Sequence, residues 1–221
     1  MEKRAIPRDI ERDIPGATAA QARLLDAIEG LTDDQARAES LLPGWTVGHV
    51  LTHLARNADS HVRLIDGASA GEVWDQYVGG VDGRVAEIEA GAHRPAAELV
   101  ADVRASNAAI EARWADASEL AWTGEGLGAI AGPIAIADLP FRRWREVEVH
   151  HVDLGLGYVP ADWPGDYVRI ELARQARTWA SRRPMGLTDL PAAALALAPH
   201  DRLAWLLGRL DVADLEPAGI F

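Results

Sequence analysis

Residues 142–156 read "RRWREVEVHHVDLGL", and in them two of the chain's seven histidines stand side by side behind two glutamates, in a run of valine and tryptophan. Carboxylates and imidazoles are costly to bury unless something pairs with them. Asp138 ahead of the stretch suits an N-cap, Pro140 suits a first turn, and Gly155 and Gly157 end it, so the spacing predicts a helix over 138–154. "REVEV" alternates as a strand would, but the capped start and the length favour the helix. At about 100° per residue, Arg143, Glu146, His150 and Asp153 share one stripe, while Phe141, Trp144, Val147, His151 and Val152 fall mostly opposite. Glu146 and His150 are four apart. They can converge on one point as metal ligands do, or lie on a solvated polar face.

Working outward, "GATAAQARLLDAIEG" (16–30) is alanine-rich with periodic apolar positions, and "TDDQ" (32–35) has capping-box spacing ahead of a short helix. Thr46 can cap a helix from Val47 to Gly67. "VDGRVAEIEAG" (81–91) is a shorter amphipathic segment, and the run from Pro95 to Ser118 is expected to be the longest helix. The glycine-rich residues 118–137 read as loop. Four substantial helices with short connections predict a four-helix bundle over residues 1–158. From 159 to 221 the pattern changes. "DYVRIELARQARTWASRR" and "HDRLAWLLGRL" read as helices, and "MGLTDL" and "AAALALAP" as short strands, giving a small C-terminal α/β domain.

Composition narrows the function. A net charge of −12 argues against nucleic-acid binding, which needs a basic footprint, and means that an anionic substrate needs a local arginine pocket. No apolar run approaches the roughly 20 residues of a membrane span, and the charged N-terminal stretch lacks the apolar core of a signal peptide, so a cytoplasmic protein is expected, with a monomer favoured. The chain has no cysteine, so any thiol chemistry needs a thiol supplied as a small molecule.

The helix after Thr46 carries His49, His53 and His61. Its apolar face runs through Val50, Leu51, Leu54, Ala58, Val62 and Ile65. His61 lies within that arc, His53 beside its edge and His49 farther out. Periodicity alone selects His61 as the buried histidine. Which of the three meets Glu146 and His150 is left open by spacing.

"GWTVGHVLTHLARNADSH" (44–61), followed by "REVEVHHVDLG" (145–155), resembles the mycothiol-dependent maleylpyruvate isomerases of the DinB-like superfamily, over about residues 16–210. The resemblance implies a mainly α fold, a DinB-like four-helix bundle with a small C-terminal α/β domain. It implies a divalent metal, usually zinc, held by His53, Glu146 and His150, with mycothiol as cofactor. It also aligns Arg84 and Arg209 with arginines that meet the substrate. The segment between Trp179 and Leu203 departs from the family pattern in being shorter.

Two imidazoles and a carboxylate suit zinc and leave a coordination position open, as catalytic rather than structural sites do. The activity implied is conversion of maleylpyruvate to fumarylpyruvate in gentisate-type aromatic degradation. A thiolate adds to the conjugated alkene, the resulting single bond rotates, and elimination returns the thiol. Two arginines suit a dianionic substrate, and Asp153 is a candidate to orient His150. Two other readings are compatible with the same residues: a metal-dependent mycothiol S-transferase acting on electrophilic xenobiotics, and a metal-stabilised binding module without turnover.

Overall fold

Capping boxes decide where two helices of the first part begin. In the computed structural model, which describes residues 9–130, 132–181 and 189–218, the Thr32 hydroxyl accepts from the Gln35 amide while the Gln35 side chain accepts from the Thr32 amide. Thr46 and His49 make the same reciprocal pair, with imidazole Nδ1 in place of the glutamine oxygen. These boxes open α2 (Asp33–Arg37) and α3 (Val47–Ser69). The other helices of this part are α1 (Ile10–Ile28), α4 (Gly80–Gly91), α5 (Ala96–Asp116), α6 (Glu119–Trp122) and α7 (Leu139–Asp153).

Some boundaries differ from the sequence pattern. α1 starts before Gly16 and runs through Pro15, because burial of Ile10 and of Asp13, paired with Arg12, offsets the hydrogen bond that proline removes. The longest helix is α3, with 23 residues against 21 in α5. Residues 118–137 are not simply loop. Beyond α6, β1 (Glu125–Gly128) pairs antiparallel with β2 (Gly132–Ala135), from Glu125 opposite Ala135 to Gly128 opposite Gly132. Strands of four residues, with glycine at alternate positions of β1 and Gly132-Pro133 opening β2, give too little periodicity to read.

α1 packs along α7 and α3 along α5, and α3–α7 and α1–α5 contacts close the ring of a four-helix bundle. Gly16 lets α1 approach closely, since a Cβ there would stand 2.3 Å from the Trp144 ring. The polar centre is Arg143, which is 0% exposed. Its Nε donates to Gln21 Oε1 of α1 (2.8 Å), Nη1 to the Leu54 carbonyl (2.8 Å) and Asn57 Oδ1 (2.9 Å) of α3, and Nη2 to Asn107 Oδ1 of α5 (2.7 Å). Burial pushes its pKa down to about 10, against the opposing pull of Glu146, so it stays charged near neutral pH.

The chain divides into two compact units, Met1–Leu156 and Gly157–Phe221. The second contains α8 (Gly165–Ala180), α9 (Ala192–Ala196) and α10 (Pro199–Leu206), and no strand among its described residues. Of the two strands expected here, "AAALALAP" is corrected to helix, and most of "MGLTDL" lies outside the described residues. "AAALALAP" forms α9 because alanine carries high helix propensity and Arg202 satisfies the orphan carbonyls. Its guanidinium donates to the carbonyls of Ala194 (3.0 Å), Leu195 (2.6 Å) and Leu197 (2.9 Å). Trp205, Leu206, Ala194 and Ala218 form that unit's core, with Trp179 against Trp205. Among the described residues no helix is long and apolar enough to cross a membrane.

Replacing Arg143 with alanine strands the acceptors of Gln21, Asn57 and Asn107 in the bundle centre. The expected cost is about 3–5 kcal/mol. Arg143→Lys is expected to recover only part of it, since an ammonium lacks the planar fork. The urea midpoint followed by circular dichroism measures both.

Candidate metal centre

α7 has no exposed residue, so the solvated-face reading of its polar stripe does not hold. The stripe faces α3 instead. His53, on α3, places Nε2 3.0 Å from Glu146 Oε2, and His150 Nε2 lies 3.5 Å from the same oxygen. The two imidazole rings meet edge to face with centroids 4.7 Å apart. One ligand atom from each of His53, Glu146 and His150 lies within 4.8 Å of the others. Glu146 is the most open of the three, its side chain 28% exposed, so the cluster is reachable from solvent on one side.

Each ring is oriented from behind. His150 Nδ1 bonds to Asp153 Oδ2 at 2.8 Å, a carboxylate–histidine pair that turns Nε2 toward Glu146. Arg84, from α4, has Nη2 3.2 Å from His53 Nδ1. A guanidinium only donates, so Nδ1 accepts and the ring proton sits on Nε2, facing Glu146. Tyr77 is buried within hydrogen-bonding reach of the Ser60 hydroxyl and Arg84, and burial raises its phenol pKa, keeping it a neutral donor.

The electrostatics suit cation binding. Burial is the main force lowering His53, which falls to about 4 despite its bond to Glu146, so this imidazole is neutral at pH 7, and a cation reaching Nε2 would need only to shift the ring proton to Nδ1. Burial alone would raise Glu146, but hydrogen bonds from His150 and His53 outweigh it and hold the carboxyl well below its usual 4.5. Burial would lower His150, and its bonds to Asp153 and Glu146 outweigh that and raise it. Two nitrogens and one carboxylate oxygen on two rigid helices fit a zinc-type ion. Such an ion would draw on His53, Glu146 and His150, with Asp153 as outer support.

The other histidines fall elsewhere. His61 is buried, as its place in the apolar arc predicts, but lies two turns beyond His53. Burial, reinforced by the charge of Arg143, lowers it to about 3. His151 is buried on the side of α7 away from the cluster. Arg209 belongs to the second unit, where Nη1 donates to the Leu207 carbonyl at 2.6 Å. Sequence reasoning missed Trp45, whose ring lies edge-on to His53 at 5.8 Å and stacked on His49 at 6.1 Å. It also missed Tyr77. A tryptophan just ahead of a helix cap was the only signal for the first, and the second carried none.

The sequence profile of the mycothiol maleylpyruvate isomerase N-terminal domain family matches residues 17–155. The chain belongs to this family. A crystal structure of a mycothiol-dependent maleylpyruvate isomerase superposes with a TM-score of 0.80 and 24% identity, over 90% of this chain and 89% of that one. That likeness extends the family fold through most of the chain. A histidine-to-alanine mutant of a mycothiol-dependent maleylpyruvate isomerase matches with a TM-score of 0.73 and 28% identity, over 78% of this chain and 72% of that one. No curated protein matches in sequence. Within the family frame, the matched 17–155 segment contains every residue of the His53 cluster, including Arg84 and Asp153.

Asp153→Asn is expected to weaken zinc binding by about 10–100-fold, the usual effect of removing a supporting carboxylate. Competition against a chromophoric chelator measures it, with unchanged circular dichroism showing that the bundle is intact.

Proposed function

We propose that this chain is a metal-dependent enzyme that uses mycothiol to isomerise maleylpyruvate to fumarylpyruvate. The observation that carries the reading is the convergence of His53, Glu146 and His150 at one point, in a chain whose family is named for that reaction. Zinc, held by these three residues, would supply Lewis acidity that keeps a thiol ionised near neutral pH. Mycothiol would supply the nucleophile, which suits a chain with no cysteine of its own.

The protein's own residues do the rest. Asp153 fixes the His150 ring, and the buried apolar residues of α3 and α7 around the cluster limit water near it. Arg84 stands against His53 and provides a guanidinium for one carboxylate of a dianionic substrate. The resemblance assigns a second carboxylate to Arg209. With a net charge of −12, such local cations are what let a dianion approach.

Purified, zinc-loaded protein given maleylpyruvate and mycothiol should form the trans isomer and return the thiol undiminished. Stoichiometric loss of mycothiol to an adduct would instead mark an S-transferase. Arg84→Met is expected to lower kcat/KM by roughly 10–100-fold, the loss of one charge-assisted contact of about 1.5–3 kcal/mol, with zinc content preserved. Steady-state kinetics beside elemental analysis tests both halves.

A further inference from the structure

α3 carries a second histidine one turn before His53, and the fold gives it partners of the same kind. Gly48 packs against the end of α4, where a Cβ would stand 2.1 Å from the Ala92 carbonyl oxygen. Any larger residue would push the two segments apart. That close approach brings the next residue of each segment, His49 and His93, edge to face, with ring centroids 5.4 Å apart and planes at 87°. Glu89, four residues before His93, brings Oε2 to 3.5 Å from His49 Nε2. One ligand atom from each of His49, Glu89 and His93 lies within 4.8 Å of the others.

The arrangement repeats the inner cluster. Each takes one histidine from α3 and a Glu-x-x-x-His pair from a neighbouring segment: Glu146 and His150 in one case, Glu89 and His93 in the other. We propose that His49, Glu89 and His93 form a second divalent-cation site of zinc type, outside the His53 centre and opening directly to solvent. His49 is buried and held, with Nδ1 2.7 Å from the Thr46 hydroxyl. When Nε2 takes a cation the ring proton sits on Nδ1 and donates to that hydroxyl, as in supporting pairs behind metal-bound imidazoles, in exchange for the bond that Nδ1 otherwise accepts from the Thr46 amide. Glu89 and His93 are exposed, so the site is assembled from one buried ligand and two exposed ones. The carbonyl end of α4 beside it adds a partial negative charge. Two imidazoles and one carboxylate select a borderline ion such as zinc over calcium or magnesium, which prefer all-oxygen sets.

The test is zinc uptake by metal-stripped, full-length protein, read by equilibrium dialysis and elemental analysis, with no activity assay involved. Wild type is expected to take up two equivalents per chain. His93→Ala and Glu89→Gln, at solvent-exposed positions, should each lose the outer equivalent and keep the inner. The expected weakening is at least the roughly 10–100-fold seen when even a supporting residue is removed. Glu146→Ala should lose the inner equivalent and keep the outer. A wild type that takes up a single equivalent, still present in both outer variants, would overturn the proposal. So would a second equivalent that persists in both. If Glu146→Ala changes nothing while His93→Ala removes an equivalent, the inner centre fails and the outer one stands.

Discussion

A guanidinium sealed at the centre of four helices sets the register of everything around it. Arg143 reaches α1 through Gln21, α3 through Leu54 and Asn57, and α5 through Asn107. A buried charge met only by neutral acceptors is expensive, so any rotation of α7 that loses one of these bonds is penalised. The bond to the Leu54 carbonyl fixes α7 opposite the middle of α3. Glu146 follows Arg143 by three residues and His53 precedes Leu54 by one, so the same bond sets Glu146 against His53. The cluster of His53, Glu146 and His150 is thereby placed by a residue that takes no part in it.

α7 divides its polar groups between two tasks. Glu146, His150 and Asp153 face α3 and build the cluster. Glu148 turns toward α1, where Arg23 pairs with it at 2.5 Å and the Trp144 indole donates to it at 3.0 Å. Two glutamates two residues apart thus have different partners. One is held by a cation of the chain itself, and the other stands between imidazoles that suit a cation from outside.

Legibility tracked how local the physics was. The caps at Thr32 and Thr46 and the shared face of Glu146 and His150 could be read from spacing, because each rests on neighbours within one helical turn; α7 begins where expected, but the Asp138 side chain makes no capping bond there. The third member of the cluster could not. Periodicity favoured His61, the most apolar placement, whereas His53 sits at the edge of the stripe, where α7 happens to arrive. Only the resemblance pointed to it. α9 was misread as a strand because an alternating alanine–leucine run fits either period, and the deciding bonds come from Arg202 outside the run. The hairpin of β1 and β2 was missed since its strands are stabilised by pairing rather than by pattern. The outer trio went unseen because nothing in the sequence reports that Gly48 lies against Ala92.

Arg84 reads the protonation of His53. As a pure donor it can stay on Nδ1 only while the ring proton is on Nε2. Any cation that takes Nε2 moves that proton to Nδ1 and turns an attraction into a donor facing a donor. Arg84 and the cation are thus rivals for one imidazole, and a carboxylate that draws Arg84 away removes the rivalry. Linkage would make the effect mutual: a metal held here would free the arginine for an anion, and the anion would tighten the metal by the same factor.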